Sequence, residues 1–175
     1  MGITEEVEKF AERFYAKIDP NICGGMHHVN LVRKYALRLA EIEKANKRVI
    51  DIAAILHDIG KIKGRERHNE VSCELSKDFV YSLDIPEKEK ELILRCILKH
   101  RVQFASENDE IEVKILQSAD ALGTLFDDKW QEYTRRTMSK EELLKTYDKA
   151  LNKITLESAR KLAEPKIKEL KRMLD

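Results

Sequence analysis

Six residues of this chain are of a kind and placement that hydrophobic folding alone does not call for. The stretch AAILHDIGK sets His57 and Asp58 among alanines, isoleucines and leucine, and Asp120 lies in ILQSADALGTL. A carboxylate carried into an apolar interior costs roughly several kcal/mol unless a cation or several hydrogen bonds compensate it. Read alone, the His57-Asp58 pair is equally a helix end exposed by fraying, since Gly60 follows, and Asp120 is equally a surface residue of an amphipathic helix. Read together, two buried carboxylates repel, and one pKa rises unless a metal cation lies between or beside them. The five histidines all fall in the first 100 residues. Four of them, His28, His57, His68 and His100, occupy helix ends or an apolar helix. Imidazole with carboxylate is the donor set that Mn, Fe, Co, Ni and Zn sites use.

Positioning these residues requires helices. Nearly every segment between turn signals has apolar residues at helical spacing, and no alternating strand pattern is bounded by hairpin turns. The pattern predicts a first helix from about Thr4 to Ile18, stopped by Asp19-Pro20, and a second from about His27 to Ala45. A third, from Arg48 to Gly60, is apolar all round and therefore central. Gly60 gives its stop, and KIKGRER is a basic loop leading to a fourth helix from about His68 to Leu83. Pro86 starts a fifth helix that runs to about His100, and a sixth carries Ile111 to Leu125. Beyond Phe126 the chain turns into charge-dense helix, with a capping box at Ser139 and Glu142 and with Pro165 expected to kink or restart the last segment. The fold class is all-α, in one domain over 1–175, with a core at about 25–125 and a C-terminal helical extension at about 127–175.

Composition narrows the function classes. With 33 Lys plus Arg against 32 Asp plus Glu, the net charge of +1 gives no global field for nucleic acid or an anionic membrane, so any anion must be drawn by a local site. KIKGRER has no interleaved aromatic, which argues further against nucleic acid. The three cysteines, Cys23, Cys73 and Cys96, have no C-x-x-C spacing and read as free thiols. The N-terminus has neither a basic n-region nor an apolar h-region, and no stretch reaches the ~18 apolar residues of a membrane span, so a cytoplasmic location is expected.

At His28-Val29-Asn30-Leu31-Val32, His57-Asp58-Ile59-Gly60-Lys61 and Ala119-Asp120-Ala121, the sequence resembles the HD superfamily of metal-dependent phosphohydrolases. The resemblance covers about 25–125 and implies an HD-type helical bundle. It implies one or two divalent transition metals, with His28, His57, Asp58 and Asp120 around the first. His68 in RHNEVS and His100 in LKHR resemble the binuclear branch, in which Asp58 bridges to a second ion. His27 departs from the ligand pattern, because the H-x-x-x-V spacing to Val32 starts at His28.

The implied activity is hydrolysis of a phosphomonoester or phosphodiester by metal-bound hydroxide, on a nucleotide or related small molecule. Asp58 and Lys61 are the expected catalytic groups. Lys61, Arg65 and Arg101 are the expected phosphate contacts, and Arg67 adds to the local charge. Their other reading, as solvated basic residues, stands beside this one. Two further functions share the ligand set, a di-iron oxygenase of the same fold and a non-catalytic nucleotide or metal sensor. A homo-oligomer is left open.

Overall fold

The computed structural model describes residues 2–18, 25–101, 103 and 106–174. Among these residues the chain forms nine α-helices, a 3-10 turn after the third of them and no strand. The helices are α1 (Ile3–Tyr15), α2 (Met26–Ile42), α3 (Lys47–Leu56), α4 (His68–Ser82), α5 (Glu87–Lys99), α6 (Ile111–Leu125), α7 (Asp128–Thr137), α8 (Lys140–Lys153) and α9 (Glu157–Arg172), and the 3-10 turn is Ile59–Lys63. The all-α expectation therefore holds. Asp19-Pro20 and Cys23 lie outside the described residues. Cys96 is buried and Cys73 half-buried, both as free thiols.

Two helices are buried on almost every side. In α3, Val49, Ile50 and every residue from Ile52 to Leu56 are buried, and in α6 so are Val113, Ile115, Leu116, Ala119, Ala121, Leu122 and Leu125. Around them α2 packs on α6, α5 on α3 and α4, and α1 on α3. Polar ties fix the order of these layers. Arg33 on α2 bridges Glu8 on α1 and Asp51 on α3. Glu112, at the start of α6, accepts from the backbone N–H of Asn46, which itself caps α3 by accepting from Arg48 and Val49.

The charge-dense tail is fastened to this core. Tyr147 of α8 donates to Gln131 of α7, and the Gln131 amide donates to the Thr124 and Leu125 carbonyls that end α6. Those bonds satisfy carbonyls that a helix end leaves unpaired. The capping box at Ser139 and Glu142 forms as expected.

Three expectations are corrected. The third helix stops at Leu56, four residues early, with His57 as its C-cap and Asp58 at the step into the 3-10 turn. KIKGRER is not a solvated loop throughout, because its first residues make that turn and Lys61 is buried. Pro165 does not restart the last helix, and α9 runs on through it. Ala159, Ala163, Ile167 and Leu170 bury one face on both sides of the proline, and that packing outweighs the hydrogen bond it removes.

Candidate metal centre

Each of the six singled-out residues is delivered by a helix terminus or by the central helix α6. His28 is in the first turn of α2, His57 caps α3, Asp58 follows it, His68 is the first residue of α4, His100 caps α5, and Asp120 is on α6. Two glycines allow the approach. A methyl group at Gly60 would lie 2.2 Å from the His68 carbonyl oxygen and 2.5 Å from the Ser72 nitrogen, so only glycine lets the 3-10 turn pack on the start of α4. Its N–H donates to Ser72 Oγ at 2.8 Å, so its role is close packing rather than the helix stop expected of it. A methyl at Gly123 would sit 2.6 Å from Val32 Cγ2, which marks the tight α2–α6 contact that brings His28 opposite Asp120.

The end of α5 is held with similar care. Its last carbonyls are taken by side chains from three places: Ile97 by His100 Nδ1 at 2.7 Å, Leu98 by Asn69 at 2.7 Å and Lys99 by Gln117 at 2.8 Å. These bonds fix where His100 points. Asn69 and Gln117 went unnoticed in the sequence, where each is a single polar residue beside a more conspicuous one.

The six side chains meet as two groups. His28, His57 and Asp120 offer ligand atoms all within 4.8 Å of one another, and so do Asp58, His68 and His100. Asp58 faces both. Its Oδ2 is 3.3 Å from His57 Nε2 and 3.7 Å from His28 Nε2, and its Oδ1 is 3.3 Å from His68 Nε2 and 3.8 Å from His100 Nε2. His28 Nε2 lies 3.1 Å from Asp120 Oδ1. Lys61 ion-pairs with Asp58 Oδ2 from one turn away.

Burial alone pushes both carboxyls toward protonation, and their neighbours reverse it. His57 and Lys61 hold Asp58 well below the usual carboxylate range, and the hydrogen bond from His28 holds Asp120 below it too. Neither aspartate rises. Burial opposes a proton on His57, but Asp58 beside it draws its pKa above the ordinary value. For His100, burial and then the charge of His57 push the pKa down to about 3, so this imidazole is neutral at physiological pH.

The hydrogen bonds test whether a cation fits. His57, His68 and His100 each place Nδ1 within 2.7–2.8 Å of the carbonyl oxygen three residues earlier, at Ala54, Arg65 and Ile97. A carbonyl accepts only, so each Nδ1 is the N–H, and each ring in its neutral form turns an Nε2 lone pair inward. The Nε2 atoms of His68 and His100 then face each other at 3.0 Å. Three buried atoms in the cluster, His28 Nδ1, His57 Nε2 and Asp58 Oδ1, have no hydrogen-bond partner among the described residues. Lone pairs converging on ionised carboxylates are what a divalent cation satisfies and what a protein without one does not assemble cheaply. Either group could hold such an ion.

Three of the six, His28, His68 and Asp120, line the floor of a cavity of about 430 Å³, and His57, Asp58 and His100 are buried against them. Lys61, Arg65 and Arg101 line it, whereas Arg67 is exposed and paired with Glu70. His27 is half-exposed and points to Asp127, the cap of α7, at 3.4 Å. The opposite wall comes from the tail, through Trp130 on α7 and Thr146, Lys149, Ala150 and Lys153 on α8. None of these wall residues stood out in the sequence. The spacing of Thr146, Lys149, Ala150 and Lys153 is that of one helix face, but it is one such face among several in a charge-dense tail.

Comparisons agree with this architecture. The chain is similar to an HD superfamily hydrolase from an uncultured Thermotogales bacterium, with a TM-score of 0.75 and 20% identity, covering 99% of this chain and 95% of that one. It is similar to an HD-superfamily hydrolase of Bacillus thuringiensis, with a TM-score of 0.66 and 22% identity over 98% and 92% of the two chains. Bacillus subtilis YpgQ, solved in complex with ADP, aligns with a TM-score of 0.64 and 16% identity over 98% and 93%. A protein of Clostridium beijerinckii is 35% identical over 92 residues, 51% of this chain and 56% of that relative's length, so the match spans little more than half of the relative. The HD domain family model matches residues 25–125. That span holds more than half of the chain and all six residues of the two groups, and the protein accordingly belongs to the HD domain family.

Proposed function

We propose that the protein is a metal-dependent hydrolase of phosphate esters, acting on a nucleotide or a related small molecule. The observation that carries this reading is Asp58, whose two oxygens face two separate histidine groups, with His28 and His68 of those groups opening onto a cation-lined cavity. In this reading His28, His57, Asp58 and Asp120 hold one divalent ion, and Asp58, His68 and His100 hold a second. Such ions supply Lewis-acid polarisation of a phosphoryl oxygen and an acidified water as nucleophile.

The chain's own residues do the rest. Asp58 and Asp120 stay ionised because His57, Lys61 and His28 offset the cost of their burial. Three Nδ1–H bonds to carbonyls lock the ring orientations. Lys61 lines the cavity while ion-paired to Asp58, so it orients that carboxylate and stands beside the bound phosphate. Arg65 and Arg101, neither within ion-pair distance of a carboxylate among the described residues, are the phosphate contacts that neutralise charge developing on the transferred group. The nucleotide part of the reading is supported by YpgQ, which shares the fold and was solved with ADP.

The test is a screen of the protein, reloaded with Mn, Co or Ni, against nucleoside mono-, di- and cyclic phosphates and dinucleoside polyphosphates. Phosphate release is expected, and Asp58→Ala should remove both retained metal and turnover, the latter by more than about 10³-fold. Turnover that survives in Asp58→Ala sinks the reading. Oxygen uptake without ester hydrolysis replaces it with the oxygenase.

A further inference from the structure

The cavity wall opposite the histidines carries charge that the metal floor does not require. Five cationic side chains line the cavity, Lys61, Arg65, Arg101, Lys149 and Lys153, against one carboxylate, Asp120. Several other cations of the tail are paired, Arg136 with Glu132, Lys145 with Glu141, Lys161 with Glu157 and Lys171 with Asp148. Lys149 and Lys153 are not within ion-pair distance of any carboxylate among the described residues, although they sit on the same helix as Lys145. They are also an i, i+4 pair of like charges, with Cβ atoms about 5–6 Å apart, a placement that weakens a helix unless an anion lies against it. Beside them the Arg65 guanidinium lies 5.7 Å over the Trp130 ring, which turns a third cation toward the same wall. In a chain of net charge +1, this concentration within one concavity focuses a positive potential there.

We propose that Lys149 and Lys153, with Arg65 on its Trp130 platform, form a second anion subsite. The substrate then carries a further phosphoryl group, as an anhydride or a second ester, beyond the one held at the histidines. The placement of the first phosphate rests on the hydrolase reading above. The subsite itself rests on the unpaired lysines of α8.

Trp130 is the only tryptophan of the chain and lines this cavity, so its emission reports occupancy without any turnover. Inorganic tripolyphosphate titrated into the chelator-treated protein is expected to change that emission, and to bind more tightly than orthophosphate. The doubly substituted Lys149→Ala/Lys153→Ala protein should bind tripolyphosphate at least about tenfold more weakly, whereas Lys161→Ala, a paired lysine off the cavity, should match the parent. In the metal-loaded enzyme, the double variant should lose about tenfold more kcat/KM on a nucleoside triphosphate than on p-nitrophenyl phosphate. Equal tripolyphosphate affinity in parent and double variant, or equal losses on the two substrates, overturns the subsite while leaving the hydrolase. Lysine-dependent tripolyphosphate binding by a protein that hydrolyses no ester overturns the hydrolase and leaves the subsite.

Discussion

The floor and the wall of the cavity are built on opposite principles. On the floor, the His28, His57, His100 and Asp58 side chains are all but inaccessible, and glycines and side-chain caps hold the helix ends that carry the cluster. On the wall, Lys149 is exposed, Lys153 and Trp130 are half-buried, and the helices that carry them are fastened to the core by the Tyr147–Gln131 link. Chemistry at a metal tolerates displacements of fractions of an ångström, so the floor is rigid. Selection of a substrate needs charge and shape at longer range, so the wall can be made of exposed side chains that vary without disturbing the chemistry.

That contrast can be broken at several points. The largest effect is expected from Gly60→Ala, because a methyl 2.2 Å from the His68 carbonyl must push the 3-10 turn off α4. A loss of about 3 kcal/mol is expected in thermal or denaturant unfolding, together with loss of metal binding. A variant as stable as the parent would mean the floor is more pliant than drawn here. Next comes acid. The pKa of His100 is about 3 when folded, against an ordinary 6.5. Between those values the unfolded chain holds a proton that the folded chain does not. The chelator-treated protein should therefore lose stability as pH falls through that window, with a slope of up to about 1.4 kcal/mol per pH unit from this group. His100→Gln should flatten the slope, and an unchanged slope would assign the acid sensitivity elsewhere.

Smaller again is Gln117→Ala, which uncaps the Lys99 carbonyl at the end of α5. It should cost about 1–2 kcal/mol and weaken metal binding about 10- to 100-fold through His100. An affinity equal to the parent's would show that His100 does not depend on that cap. The wall should respond least to stability probes. Lys145→Ala removes an exposed pair with Glu141 and should shift stability by less than about 0.5 kcal/mol, and a larger shift would mean that α8 depends on its surface charges.

Much of the floor was legible in the sequence, and almost none of the wall. A carboxylate in an apolar run is improbable unless something compensates it, which is why Asp58 and Asp120 stood out and why all six floor residues meet in space. The sixth helix was read to its ends at Ile111 and Leu125. The third was not, since apolar periodicity continues through Ile59 and does not register that the chain tightens at Asp58, where Lys61 N–H bonds the Asp58 carbonyl. Nor could Pro165 be read correctly, because the outcome depended on α9 packing on both sides of it. A lysine in KTYDKALNK looks like any solvated lysine. Only the fold shows that Lys149 and Lys153 turn inward to a cavity while Lys145 turns to Glu141.

The three imidazoles that bond the carbonyl three residues earlier have a consequence for how such a centre varies. Each ring takes its aim from the backbone of its own turn, so the centre is specified by where three helix ends stand and owes little to contacts across the helix bodies. Substitutions along those bodies leave the aim intact as long as the ends keep their places. A single-residue insertion or deletion within 54–57 or 97–100 rotates a ring by about 100° about its helix and takes it out of its group, and one within 65–68 parts His68 from the Arg65 carbonyl. Tolerance to substitution and intolerance to insertion thus follow from the same short hydrogen bond.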